Sequence, residues 1–470
     1  MSSDPDLIAR DLQVHWHPCV QSSDFAVFPP LEVVSASGCR LTLSDGRELL
    51  DAISSWWCKS LGHGHPRLRA ALLAQAERFE HVIIANTTSK GLVRLCERLC
   101  AAANGQRPAA WATGASEVPT GPAGPGHFTK VFFADSGSVG VEVALKMALQ
   151  AQAQSGRPGR TRFAALAGGY HGETMGALSV GDCGLYKDTF APLLFPCAQL
   201  GPLPLRSGPE DPRWLDAADA WPALERQLAP LAATLAAIIY EPVLQGAGGM
   251  RLYAPDLLVR LRHWADAHQV LLIADEILSG WGRCGTMLAS HLAGPLAMPD
   301  LAVVSKGLTG GFLPQAAVLT TTALSQAFAG AAGDGRAFLH SSTQGGNALA
   351  VAVAAAALDA YADEDVLGQV AAHGPRLRQG LSELARSRPY FSGVRGLGMM
   401  AAVDLRTAAG GPLPAAARSG WQVFRRAVAR GALLRPLGDT LYLLPPLNTA
   451  SADLERMIAI LADSCREVMG

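Results

Sequence analysis

The sequence predicts an α/β fold, a mainly parallel sheet covered by helices and followed by a smaller α+β unit. Three observations predict it. From residue 130 onward, apolar strand-like runs alternate with helical periods, the pattern of a sheet buried on both faces. The stretch 345–470 mixes Ala-rich helices with the short apolar runs "GMMAAVDL", "GALLRPLG" and "TLYLLPP". The chain is 470 residues long and 49% apolar, enough for two or three units of ordinary size with large cores.

Taken in order, "CRLTLSDGRELLDAISSWW" reads as two short strands around the turn Ser44-Asp45-Gly46. Residues 67–100 carry two helical periods. Residues 105–128, rich in Gly, Pro and Ala, read as a surface insertion. "KVFFA" (130–134) is a strand, followed by a helix from about Val139 to Gln152. "RFAAL" (162–166), "LAAIIYEPV" (235–243), "VLLIADE" (270–276) and "DLAVVSK" (300–306) continue the sheet, with the helix "PDLLVRLRHWADAH" among them. There is no internal repeat.

Charge is balanced, with 39 Lys+Arg against 40 Asp+Glu, so nothing points to nucleic acid or an anionic membrane as partner. Nine scattered cysteines without a Cys-x-x-Cys read as packed thiols, and no metal is expected. His63 and His65 in "GHGHP" have metal-like spacing but no supporting thiol or carboxylate cluster, and read as loop residues. The N-terminal stretch lacks the apolar core of a secretory leader. The apolar run Ala348 to Leu358 is far shorter than the roughly 20 residues a bilayer requires. A cytoplasmic protein is expected.

The residues that carry chemistry sit where strands end, the place where open parallel sheets bind ligands. Ser136-Gly137-Ser138 lies between "KVFFA" and a helix. Free N–H groups and the helix dipole suit a phosphate there, although a Ser-capped tight turn would look the same. Asp275 ends an apolar run, and a carboxylate there needs a cationic partner or a cap to satisfy it. A protonated pyridine nitrogen, as in pyridoxal phosphate (PLP), is such a partner. Lys306 closes the next run and precedes "GLTGG". A desolvated lysine has a lowered pKa and suits imine chemistry and proton transfer. Asp275 and Lys306 are one strand-helix-strand step apart, which favours the cofactor reading over a loop lysine. Tyr170, in "LAGGYHGET", is placed to stack on a planar ring or simply to pack in a loop. Trp56-Trp57 would face opposite sides if in a strand, leaving one free to line a pocket. Arg435 suits a carboxylate clamp or a salt bridge.

Together "WHPC", "LSDGRELLDAISSWW", "ADSGSVGVEVALKMALQ", "GGYHGET", "EPVLQGAGGM", "LLIADEI", "SKGLTGG" and "LLRPLGDTLYLLPP" resemble the class III aminotransferases of PLP fold type I. The likeness spans nearly the whole chain except 105–128. Within the family, "SSWW" and "ADSGSVGVEVALKMALQ" are most similar to the branch that aminates 8-amino-7-oxononanoate in biotin biosynthesis, with S-adenosylmethionine as donor.

The resemblance implies a large PLP-binding domain at 63–344 and a small domain built from 1–62 and 345–470. It implies Lys306 as the Schiff-base lysine, Asp275 on the pyridine nitrogen, Gly137 and Ser138 on the phosphate, and Tyr170 on the ring and substrate. Glu241 would support the pocket from a strand end. Ser342 and Thr343 would reach the cofactor of a second copy in a homodimer. Trp56, Ser341, Arg435 and Cys19 would border the substrate. Three departures stand out. Cys19 replaces a usual Tyr, Thr88-Ser89-Lys90 replaces a Thr-His pair, and "HSSTQGGN" replaces a His-Gly-Pro-Thr run. The rivals are an ω-amino-acid or diamine transaminase (or lysine as donor) and, more distantly, a PLP aminomutase or a non-catalytic binding protein.

Overall fold

The computed structural model describes residues 6–105 and 127–470. The expected insertion at 105–128 therefore lies almost wholly outside the described residues. The central sheet has seven strands: β1 (Phe128–Ala134), β2 (Arg162–Leu166), β3 (Cys197–Leu200), β4 (Leu235–Tyr240), β5 (Leu271–Asp275), β6 (Leu301–Val304) and β7 (Ala316–Thr321). Their order across the sheet is β1-β7-β6-β5-β4-β2-β3. The β3-β2-β4-β5-β6 run is parallel, while β7 lies antiparallel to both β6 and β1.

Successive side chains of a strand point to opposite faces, and both faces here are apolar. Phe163, Ala165, Ile239, Ile273 and Val303 pack against the helix Gly137–Gln154. Ala164, Leu166, Ile238, Tyr240, Leu272 and Ala274 pack against the helices Trp221–Leu228 and Asp256–His268. The continuous apolar runs seen in the sequence are this double burial. The run Ala348 to Leu358 belongs to the buried helix Ala348–Asp363. No helix among the described residues is long and apolar enough to cross a membrane.

A second sheet joins distant parts of the chain. Val33–Ser37, Arg40–Leu43 and Glu48–Asp51 form an antiparallel ribbon, and Ala432–Leu433 adds in parallel to Glu48–Asp51. The turn falls where the sequence predicts it, with Gly46 at φ 84°. A third, antiparallel sheet comprises Phe391–Gly396, Ala401–Leu405 and Thr440–Leu443. We propose the division 1–62, 63–344 and 345–470 on the strength of this shared small sheet. One expectation needs correction. Trp56-Trp57 is not in a strand, because Ser54–Trp57 is an irregular helical turn with positive φ at Ser54, Ser55 and Trp57. His63 and His65 lie outside the helices and strands, as expected, and each ring pairs with a carboxylate, Asp51 and Glu364 respectively.

Candidate active site

The parallel strands deliver their last residues to one edge, where two adjoining cavities of about 180 Å³ each open. The inner one is bordered by Gly137, Ser138, Tyr170, His171, Glu241, Asp275 and Lys306. The outer one is bordered by Cys19, Trp56, Tyr170, Tyr186, Lys306 and Arg435. Trp57, Tyr170 and Lys306 belong to both.

Lys306 follows β6 by two residues, and its Nζ lies 5.6 Å from the centroid of the Trp57 ring. Burial pushes its pKa down from the ordinary 10.5, while the Asp275 and Glu241 carboxylates pull it back up. Asp275 is the last residue of β5 and only 3% exposed. Its Oδ2 accepts from His171 Nδ1 at 2.8 Å, and its Oδ1 accepts from the Ile277 N–H at 3.1 Å. Glu241 follows β4 and is also buried. Its two oxygens accept the backbone N–H of Tyr170 and of Gly246, each at 2.9 Å, so it ties the loop after β2 to the loop after β4. Burial nevertheless raises its pKa to about 7.

The start of the helix Gly137–Gln154 borders the inner cavity. Ser136 caps the helix Gly137–Gln154, its hydroxyl accepting the Val139 N–H at 3.4 Å. A Cβ at Gly137 would come within 2.8 Å of Ile277 Cδ1, so a larger residue there would have to push that side chain aside. Gly172 is required twice over. Its φ is 126°, and a Cβ would meet Ser138 Oγ at 2.2 Å. These features fit PLP. There is a helix start without side-chain bulk for an anion, a buried carboxylate for a ring cation, and a desolvated lysine between them. The buried His171 Nε2 has no hydrogen-bond partner.

The class III aminotransferase pattern matches residues 22–464. The chain belongs to the class III aminotransferases. It is therefore a PLP-dependent aminotransferase. Relatives named adenosylmethionine-8-amino-7-oxononanoate aminotransferase include that of Synechococcus elongatus, 40% identical over 96% of this chain and 98% of that protein. The Geobacter sulfurreducens protein of the same name is 34% identical over 97% and 96%. The structure of the Methanocaldococcus jannaschii enzyme of that name superposes with a TM-score of 0.87 at 28% identity, covering 98% of this chain and 99% of that one. A PLP-bound amine transaminase from an uncultivated Pseudomonas species gives 0.85 at 34%, covering 96% and 98%.

In this aminotransferase the residues singled out from sequence fall into two groups. Gly137, Ser138, Tyr170, Glu241, Asp275 and Lys306 converge on the inner cavity, and Trp56, Cys19 and Arg435 meet at the outer one. Arg435 stacks on Trp56 at 5.0 Å and donates to the Cys19 carbonyl at 2.9 Å. Ser341, Ser342 and Thr343 do not join either cavity; Ser341 and Thr343 are exposed. Ser89 caps the helix Lys90–Ala103 through the Leu92 N–H, which explains a Ser in the Thr88-Ser89-Lys90 segment.

Sequence reasoning missed Tyr186 and Tyr442, and named Trp57 and His171 only beside Trp56 and Tyr170, without a role of their own. Trp57 donates from Nε1 to the Tyr442 hydroxyl at 2.9 Å, and Tyr170 packs edge-on to Tyr186. His171 adjoins Tyr170 in "GGYHGET", so a polar neighbour of a stacking aromatic was the available signal. Tyr186 and Tyr442 carried none. Among the described residues Asp11, His15 and His17 also cluster, with Asp11 accepting from both rings.

Proposed function

We propose that this enzyme transfers an amino group from S-adenosylmethionine to 8-amino-7-oxononanoate, giving 7,8-diaminononanoate for biotin biosynthesis, as a cytoplasmic homodimer. The observation that carries the substrate reading is one cavity lined by both Lys306 and Arg435, with Trp56, Trp57, Tyr170 and Tyr186 as aromatic walls. Aromatic walls suit an apolar nine-carbon chain, and a guanidinium held flat by Trp56 suits its distal carboxylate. The same walls suit a sulfonium cation and an adenine. Two substrates that bind in turn at one site match the two half-reactions of a transaminase.

In the inner cavity PLP would supply a carbonyl for the amino group and an electron-accepting ring. Gly137 and Ser138, at the helix start, hold its phosphate. Asp275 keeps a positive charge on the ring nitrogen, and His171, donating to Asp275, fixes that carboxylate's direction. Glu241 holds the Tyr170 loop against the ring. Lys306, desolvated and so easily deprotonated, would hold and move the proton at its Nζ. Trp57 and Tyr442 close the site beside Lys306 and exclude water.

Thr343, exposed and outside both cavities, together with Ser342 is assigned to the phosphate of a second copy's cofactor. Ser341 is assigned to that copy's substrate. In a mixing test, inactive Lys306→Ala and Thr343→Ala chains should regain activity once subunits exchange, because one hybrid site receives both native residues.

The function is tested by giving the PLP-loaded enzyme the keto-acid with S-adenosylmethionine, lysine or simple amines in parallel. The expected result is 7,8-diaminononanoate formed with S-adenosylmethionine. Formation only with lysine replaces the donor. Turnover of ω-amino acids without turnover of the keto-acid replaces the function.

A further inference from the structure

The outer cavity's tryptophans stand on a turn that its own backbone disfavours. Ser54, Ser55 and Trp57 have φ of 52°, 58° and 66°. Ser55, with ψ −101°, is outside even the left-handed helical region. Such conformations persist only where the surroundings over-determine them. Here the surroundings are Asp51 and His63. Asp51 ends the strand Glu48–Asp51 and is wholly buried. Its Oδ1 accepts the Ser55 N–H at 2.8 Å and the Ile53 N–H at 3.4 Å. Its Oδ2 accepts the Ser55 hydroxyl at 3.0 Å and His63 Nε2 at 2.8 Å. Four donors thus satisfy one buried carboxylate, and two of them come from the strained residue itself.

His63 is anchored in turn. Its backbone exchanges hydrogen bonds with Gly38, N–H to carbonyl at 2.7 Å and carbonyl to N–H at 2.9 Å. Ser54 is pinned separately, donating to the Leu444 carbonyl at 2.7 Å. The outcome of this geometry is the placement of two rings. Trp56 faces the outer cavity beneath Arg435, and Trp57 reaches Tyr442 and lies by Lys306. Neither Asp51 nor His63 borders either of these two cavities.

We infer that Asp51 and His63 are positioning residues of the substrate pocket, holding the Ser54–Trp57 turn in the conformation that sets both tryptophan walls. The inference rests on the aminotransferase reading but not on which keto-acid is used. It predicts a separation that loss of folding alone does not produce. Removing the clamp disturbs substrate binding and the surroundings of Lys306, while the phosphate cradle, on other elements, keeps its cofactor.

The test compares His63→Leu, His63→Gln and Asp51→Asn with the native PLP-loaded enzyme. Two quantities are read: KM and kcat with whichever acceptor the native enzyme turns over, and the pH midpoint of the bound cofactor's absorbance. In His63→Leu, KM should rise about tenfold or more with a smaller change in kcat. The absorbance midpoint should fall, because a displaced Trp57 no longer stabilises a cation at Lys306. His63→Gln, which keeps a donor toward Asp51, should recover most of both effects. If Asp51→Asn fails to fold, the two His63 variants carry the test. Native KM and an unmoved midpoint in folded His63→Leu would overturn the inference, as would equal effects in the Leu and Gln variants. A native enzyme that turns over no candidate acceptor counts against the substrate reading, and the absorbance midpoint still decides the clamp.

Discussion

Replacing Gly172 by alanine tests the phosphate cradle at its tightest point. The new Cβ would lie 2.2 Å from Ser138 Oγ, 2.7 Å from Ser138 Cβ and 3.0 Å from Ser138 Cα. The nearest atom belongs to a short side chain on the first turn of the helix Gly137–Gln154, and the third is backbone, so Ser138 has no way to rotate clear. Gly172 also holds φ at 126°, which disfavours any side chain by about 1–3 kcal/mol. If Ser138 is pushed out, the cofactor's phosphate loses a charge-assisted hydrogen bond worth about 1.5–3 kcal/mol. That corresponds to a PLP Kd raised by roughly 10- to 150-fold. Titration of the PLP-free protein, followed by absorbance, measures it. Gly46→Ala is the control. At φ 84° it pays a similar backbone cost, but nothing lies within 4 Å of its Cβ. Its PLP affinity should be native. A folded Gly172→Ala protein that binds PLP within about twofold of native would refute the cradle.

Asp275→Ala should retain PLP but slow the half-reaction with amino donor on the order of a hundredfold or more, since the buried charge proposed for the ring nitrogen is gone; rapid-mixing absorbance checks this, and an unchanged rate removes Asp275 from the mechanism. Arg435→Ala should raise the KM for the keto-acid well above any change in the donor's KM, because only the keto-acid offers a distal carboxylate; steady-state kinetics with each substrate varied decide it. Glu276 is wholly buried, and burial raises its pKa from 4.5 to about 7 against the hydrogen bonds it accepts from Ser290, Ala289 and Ser279. A raised folded pKa means the folded chain holds a proton that the unfolded chain releases. Glu276 thus favours folding fully below pH 4.5, and that contribution is lost as pH rises through about 7. In Glu276→Gln the fall in stability across this window should be shallower by up to about 1.4 kcal/mol per pH unit, read by denaturant unfolding of the PLP-free protein.

The legible parts of the fold were those whose burial is written in the residue pattern. "RFAAL" forms β2 over its full length because every other residue serves the opposite core. β3 escaped notice because "CAQL" is a short edge strand, mostly half-buried, with Gln199 in it. β7, "AAVLTT", is as apolar as its neighbours, but nothing local distinguishes an antiparallel strand returning into a parallel sheet. In the site, Asp275 and Lys306 were legible because a charge ending an apolar run is anomalous. Asp51 and His63 were not, because their importance arises from the φ values of Ser54 and Ser55. Those φ values are fixed by partners up to 390 residues away, such as the Leu444 carbonyl.

The pairing of Glu48–Asp51 with Ala432–Leu433 has a consequence for how the protein comes into being. During synthesis, at roughly 5–20 residues per second, the first of these strands waits on the order of tens of seconds before the second exists. All seven strands of the central sheet have been made by Thr321, although the later helix Ala348–Asp363 still has to close part of its core. The turn bearing Trp56 and Trp57 follows the waiting strand directly. In the newborn chain the nest for the cofactor precedes the walls for the substrate, and an exposed strand edge next to two tryptophans is the surface a chaperone would meet first.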